Sequence, residues 1–104
     1  MKNLKKDYSP LVYRLVAKIP KGKVTTYGQI AKKLKMKSAR LVGQILHNNS
    51  DPVKTPCHRV VFADGKLSKS YAFGGAKKQK EKLMNEGITF VKNKIDFKTF
   101  LYSL

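Results

Sequence analysis

Apolar residues recur at helical spacing through the first half of the chain. Leu11, Val12, Leu15, Val16 and Ile19 form one face of a predicted helix, with Ser9 as its cap, Pro10 in its first turn and Pro20 as its stop. Lys21-Gly22-Lys23 then turns the chain. A second helix, capped by Thr25 or Thr26, carries Ile30, Ala31 and Leu34 inward. After the short Met36-Lys37 joint, Ser38 caps a third, in which Ala39, Val42, Ile45 and Leu46 repeat at the same period. Two short helices around a tight joint, preceded by another helix, form the pattern of a helix-turn-helix core.

The pattern breaks at Asn48-Asn49-Ser50-Asp51-Pro52, a dense run of turn formers. Cys57 therefore falls on an extended or irregular segment. Val60-Val61-Phe62 and the stretch around Leu67 flank Asp64-Gly65, which predicts a hairpin and a small wing. Gly74-Gly75 opens a basic helix that closes at Gly87, just after Glu86. Ile88 to Val91 reads as a short strand, and Asp96 caps a terminal helix with Phe97, Phe100 and Leu101 inward. No internal repeat or low-complexity tract interrupts this order. The expectation is one domain over residues 1–104, mainly α with a small β wing: a winged helix-turn-helix.

Composition sharpens this. Apolar residues make up 41% of the 104 positions and aromatics 10%, enough for a modest core. The charged start, Met1 to Lys6, leads into no apolar run of signal-peptide length, and no stretch is long enough to span a membrane. A soluble, intracellular chain is expected. Twenty-three Lys and Arg face six Asp and Glu, a net charge of +17. Between Asp7 and Asp51 there is no acidic residue, while Arg14, Lys18, Lys21, Lys23, Lys32, Lys33, Lys35, Lys37 and Arg40 fall in that interval. Such a field attracts a polyanion, because each phosphate contact releases counterions. A generally lysine-rich composition explains part of the excess. An anionic membrane would need a long amphipathic helix with bulky apolar residues, and the sequence contains none.

The single cysteine excludes an internal disulfide, and with only His47 and His58 beside it a zinc site lacks ligands. No metal is expected. A lone intracellular Cys is ordinarily a small buried apolar residue. A thiol becomes a strong nucleophile as thiolate, which a base or positive field promotes. His58 is adjacent, but successive side chains on a strand point to opposite faces. It reaches the sulfur only if the segment is turned, or through a water.

Pro56-Cys57-His58-Arg59-Val60 resembles the active-site signature of the O6-alkylguanine-DNA alkyltransferases, single-turnover DNA repair proteins. Other segments carry the same resemblance in order. Ile19 to Ala31 is similar to the approach and first helix of that family's helix-turn-helix. Ala39-Arg40-Leu41-Val42-Gly43 resembles the start of its recognition helix, and Asn49 precedes Cys57 at the family's spacing. Tyr71, Gly74-Gly75 and Glu86-Gly87 continue the match, which runs from about Pro10 to Gly87.

The resemblance implies roles. Cys57 would accept the alkyl group permanently, making the chain a methylated-DNA–protein-cysteine methyltransferase that needs no cofactor. His58 would act as base through a bridging water, oriented by Glu86. Asn49 would tie the recognition helix to the Cys57 segment by hydrogen bonds. Since the alkyl carbon is shielded inside a duplex, the base must be rotated out, and Arg40 would enter the stack in its place. It is one of only three arginines, and a planar guanidinium stacks where an ammonium cannot. Tyr27 would line the base pocket and help flip or protonate the base. Val60 and the Tyr71-Ala72-Phe73-Gly74-Gly75 loop would complete that pocket. Thr26, Ala39 and Gly43 would face DNA in a minor-groove approach that reads shape and phosphates.

The implied partner is double-stranded DNA containing O6-alkylguanine, met by a protein that is monomeric in solution and open to cooperative assembly on DNA. The implied location is the cytoplasmic nucleoid, or the nucleus of a eukaryotic cell. Three departures stand out. The usual N-terminal domain of the family is not expected in this sequence, Leu41 replaces a small residue beside Arg40, and the pocket loop is one residue longer. The runner-up reading is an alkyltransferase-like protein, which flips damaged guanine to flag it for excision repair. Those proteins generally carry Trp where Cys57 stands, and this chain has no Trp. A general winged-helix DNA binder gives no reason for Cys57, His58, Asn49 and Glu86 to co-occur.

Overall fold

Capping side chains set most of the helix starts in the computed structural model, which describes residues 7–69 and 71–104. Met1 to Lys6, the charged start read above, and Ser70 lie outside the described residues. The Thr26 side chain accepts from the Gln29 amide and opens α2, Tyr27–Lys33. Ser38 does the same for α3, Ala39–His47, through the Leu41 amide, and Asp96 for α5, Phe97–Phe100, through Lys98. The first helix, α1, differs from expectation. It spans Ser9–Ala17, so Ser9 lies inside it, and the Ser9 amide is bound instead by the Asp7 carboxylate at 2.9 Å. A carboxylate is the stronger acceptor and sits two residues earlier.

The joint between α2 and α3 closes without glycine. The Met36 amide bonds the Ala31 carbonyl at 2.8 Å and the Lys35 amide that of Lys32, with Lys35 at φ 56. This is a Schellman ending, and its apolar residue, Met36, is buried in the core. The helix α4, Gly75–Asn85, ends the same way. Ile88 and Gly87 bond back to Leu83 and Met84, and the left-handed turn falls on Gly87 at φ 92. Glu86 is thereby held at the end of α4 while Ile88 turns into the core.

Two strand pairs complete the architecture. β1, Thr25–Thr26, pairs in parallel with β2, Val60–Val61, with Thr25 opposite Val60. Alternation along β2 sends its two side chains to opposite faces. Val60 joins the core of α1, α2 and α3 with Val12, Val16, Ile30, Val42 and Ile45. Val61 joins a second core with Val24, Leu83, Ile88 and Ile95. The Cys57–Arg59 turn that precedes β2 is thus anchored between both cores.

The mainly helical fold with a small sheet matches the expectation, but the hairpin is elsewhere. Residues 62–66 form only a tight turn, closed by the Phe62 amide on the Lys66 carbonyl at 3.0 Å. The two-stranded ribbon is β3, Phe90–Val91, with β4, Lys94–Ile95, joined through Lys92 and Asn93, both at positive φ. The strand begins at Phe90 rather than Ile88, which is core. Leu101 is 38% exposed rather than inward, because its backbone bridges Val24 and turns its side chain out. Ala39 is likewise exposed, off the apolar face of α3. No helix among the described residues is long and apolar enough to cross a membrane.

Candidate active site

The segment after α3 folds back on itself to seat Cys57. The Asn49 side-chain amide donates to the Thr55 carbonyl at 2.8 Å and to Cys57 Sγ at 3.3 Å, while its oxygen accepts from the Asp51 amide. One buried side chain therefore joins the end of α3 to the sulfur. Cys57 begins a 3-10 turn, Cys57–Arg59, rather than a strand. Its side chain is 4% exposed. Burial pushes the thiol up from its ordinary range, opposed by the Asn49 bond, the turn's own amide and the charge of Lys82. A resting protein at neutral pH thus holds a thiol, which needs a base to become a nucleophile.

Behind the turn stands an ion-paired histidine. His58 Nε2 meets Glu86 Oε2 at 2.9 Å. Arg59 grips the same carboxylate in bidentate fashion, Nε to Oε1 at 2.9 Å and Nη2 to Oε2 at 2.7 Å, and its remaining nitrogen donates to the Ile19 carbonyl. Burial holds His58 below its usual pKa, although Glu86 pulls the other way. Burial alone would raise Glu86, yet the bonds from Arg59 and His58 outweigh it and the carboxyl titrates below its ordinary range. An ionised carboxylate only accepts, so Nε2 carries the proton and Nδ1 of the neutral ring keeps its lone pair. Nδ1 is buried without a partner among the described residues.

A second scaffold holds the turn in place. Gln79 on α4 is fully buried, donating to the carbonyls of His58 and Val60 at 3.0 Å each and accepting from the Ser68 amide at 3.1 Å. Gln79→Leu keeps the volume and strands these groups, so we expect a loss of about 2–4 kcal/mol. Urea unfolding reads this directly. A midpoint within error of wild type would show that the three bonds contribute nothing.

Cys57 opens on a cavity of about 660 Å³, which Tyr27, Ala39, Arg40, Gly43 and Tyr71 also line. Gly43 faces the Tyr27 ring, and Arg40 stands exposed in the first turn of α3. Burial pushes the Tyr27 phenol up, against a hydrogen bond with Ser68, so it remains a protonated donor. Val60 lies wholly beneath this surface, and Thr26 serves as the α2 cap. Gly74 and Gly75 stand outside the lining and shape the loop. Gly74 takes φ 121, and a Cβ there would run into the Lys78 side chain. His58 and Glu86 instead border a separate cleft of about 380 Å³, shared with Arg59, Lys21 and Lys82.

Phe62, Ser68, Arg59, Gln79 and Lys82 were not singled out by sequence reasoning. Phe62 lines the large cavity, 46% exposed, with its ring centroid 5.3 Å from that of Tyr27. Its signal was the i, i+2 relation to Val60, which places both on one side of a strand. Arg59, one of three arginines, lay inside the Cys57 motif itself. Gln79 stands four residues before Leu83, hence on the same helical face. No cluster of metal-ligand type occurs among the described residues.

Comparison with known proteins adds a family context. Residues 7–88 match the family model described as 6-O-methylguanine DNA methyltransferase, DNA binding domain. A bifunctional methyltransferase/endonuclease of Picrophilus torridus is 37% identical over 98 residues, 93% of this chain but 32% of that protein. Alkyltransferase-like protein 1 of Schizosaccharomyces pombe is 40% identical over 83 residues, 79% of this chain and 77% of that one. A crystal structure of S. pombe Atl1 in complex with damaged DNA containing O6-carboxymethylguanine superposes with a TM-score of 0.82 at 32% identity, covering 93% of this chain and 95% of that chain. The chain thus spans about a third of the first relative and most of the second.

Proposed function

The chain belongs to the 6-O-methylguanine DNA methyltransferase family through its DNA-binding domain, and from that premise we propose that it repairs O6-alkylguanine in duplex DNA by taking the alkyl group onto Cys57. The observation that carries this reading is the sulfur itself. It lies at a large cavity, hydrogen-bonded by Asn49, with a neutral histidine beside it in sequence whose other nitrogen is fixed by a paired carboxylate. A cysteine serving only as core filler has no use for these.

In the proposed reaction α3 lies along the DNA and the +17 charge supplies phosphate contacts. Arg40 fills the space of the extruded nucleotide, and the base enters the cavity between Tyr27 and the Tyr71 loop. Cys57 Sγ attacks the alkyl carbon, the bond from carbon to O6 breaks, and its electron pair leaves with the guanine. The thiol proton passes through a water to Nδ1 of His58, where the Glu86 carboxylate stabilises the imidazolium. The guanine takes a proton from the Tyr27 phenol, and the proton held by His58 is released to solvent, from which the phenolate regains one. Neutral thiol and alkylated base thereby become neutral thioether and guanine, with no cofactor. The protein ends as its own product.

One observation favours a second reading, recognition without transfer. The alkyltransferase-like protein 1 of S. pombe is covered over most of its own length, both in sequence and in its DNA-bound structure. Intact-protein mass spectrometry separates the two. Incubation with a duplex carrying O6-methylguanine should add one methylene's mass per protein, located on Cys57 and absent from Cys57→Ala. Tight binding of the damaged duplex with unchanged mass would overturn transfer and establish the recognition role.

A further inference from the structure

Lys82 borders the cleft of His58 and Glu86, and the proposed reaction gives it no part. It projects from the last turn of α4. Its ammonium donates to the Tyr71 hydroxyl at 2.7 Å and stands 5.2 Å and 5.5 Å from the ring centroids of Tyr71 and Phe73. The two rings meet edge to face, 5.8 Å apart. The Tyr71 hydroxyl bond and the Phe73 ring thus fix an otherwise flexible side chain. Tyr71 lines the large cavity with Cys57, whereas Lys82 borders the cleft of His58 and Glu86. Lys82 has no carboxylate partner among the described residues.

We propose that Lys82 is a positioning residue for the nucleophile: an ammonium locked by Tyr71 and Phe73 that sets the electrostatic potential at Cys57. This deepens the alkyl-transfer reading and rests on it for its purpose. Against the other groups around the sulfur, Lys82 stands out as a cation fixed in place with no carboxylate partner among the described residues. Tyr13 of α1, Tyr27 of α2 and Tyr71 face it as neutral phenols, their ionisation disfavoured by burial. Arg40 and His47 on α3 line the cavity at exposed positions. On the turn itself His58 is neutral, and the charges of Arg59 and Glu86 are spent on one another. A locked ammonium favours thiolate over thiol, in the sense that opposes burial of the sulfur.

The test uses iodoacetamide on the intact protein, since the sole cysteine makes adduct mass unambiguous. Rates are measured across pH. In Lys82→Met, which keeps the aliphatic stem, the midpoint of the profile should move up by at least about half a unit, slowing alkylation near pH 7 by about threefold or more. Lys82→Arg should restore most of the rate. Tyr71→Phe keeps both rings and the charge but removes the hydroxyl anchor, and should shift the midpoint part of the way. An unchanged midpoint in Lys82→Met overturns the proposal. Should that variant not fold, an unchanged midpoint in Tyr71→Phe does so. Iodoacetamide requires no DNA, so a wild type that fails to demethylate O6-methylguanine while Lys82→Met still shifts the profile removes the transfer reading alone.

Discussion

Arg40→Ala should slow alkyl transfer from O6-methylguanine in duplex DNA by about 100-fold while leaving the reaction with free O6-benzylguanine within about twofold. Extruding a base from a duplex costs a few kcal/mol, and a group that fills the vacated stack offsets much of it; about 3 kcal/mol corresponds to a factor of about 100. Arg40 is exposed at the cavity edge in the first turn of α3, which makes it the basic side chain placed to do this. The free base needs no extrusion, so its reaction reports only Cys57 and its relay. Arg40→Lys keeps the charge but loses the plane, and should recover less than half of the loss on a logarithmic scale. Second-order rates on the two substrates supply the check. Equal losses on both would assign Arg40 to the chemistry or to folding instead.

Arg59→Met should destabilise the folded state strongly and in a pH-dependent way. Arg59 and Glu86 are 16% and 11% exposed, so removing the cation leaves a mostly buried carboxylate facing His58 alone. Orphaning such a charge costs about 2–4 kcal/mol near pH 8, after allowance for partial exposure. The sign with pH is definite. In wild type, burial depresses the pKa of His58 and the Arg59 charge adds to this, so the folded state takes up this proton only below the unfolded pKa. Wild-type stability from this group is therefore lost as pH falls. In the variant Glu86 has only His58 as a cation, so the folded-state pKa of His58 rises. Its contribution is then present in acid and lost as pH rises. The deficit of the variant should shrink toward about pH 5.5, and the acid limb of its transfer profile should move to higher pH. Urea unfolding at about pH 5.5 and 8 measures the first, and a deficit independent of pH would refute the coupling.

Legibility followed the range of the signal. Thr26, Ser38 and Asp96 cap their helices through bonds spanning two or three residues, and such local chemistry reads directly from sequence. Ser9 misled because the Asp7 carboxylate competes for the same amide. Val60-Val61 looked like half of a hairpin, with Asp64-Gly65 as its turn. Its real partner, Thr25-Thr26, lies across the whole helix-turn-helix, and a parallel pair has no turn to announce it. The family resemblance grouped Asn49, His58 and Glu86 with Cys57; Asn49 bonds to Sγ, while His58 pairs with Glu86 on the neighbouring cleft. Gln79 and Lys82 escaped notice in a helix crowded with lysine, where a further polar side chain reads as solvated surface. Only tertiary packing distinguishes them.

The parallel pairing of β1 with β2 also has a kinetic meaning. Helices α2 and α3 are made of local contacts and form early, whereas joining Thr25 to Val60 requires a long loop to close first. The turn bearing Cys57 is seated only when that closure occurs, since Val60 and Val61 lock it between the two cores. During synthesis the ribosome releases α3 before β2, the strand that fixes the Cys57 turn. A nascent or partly refolded chain therefore holds α2 and α3 without the seated Cys57 turn and exposes a thiol that the native fold buries. Until the last long-range contact forms, the thiol that the native fold buries is open to oxidants, and a chain delayed at that step can lose it before folding is complete.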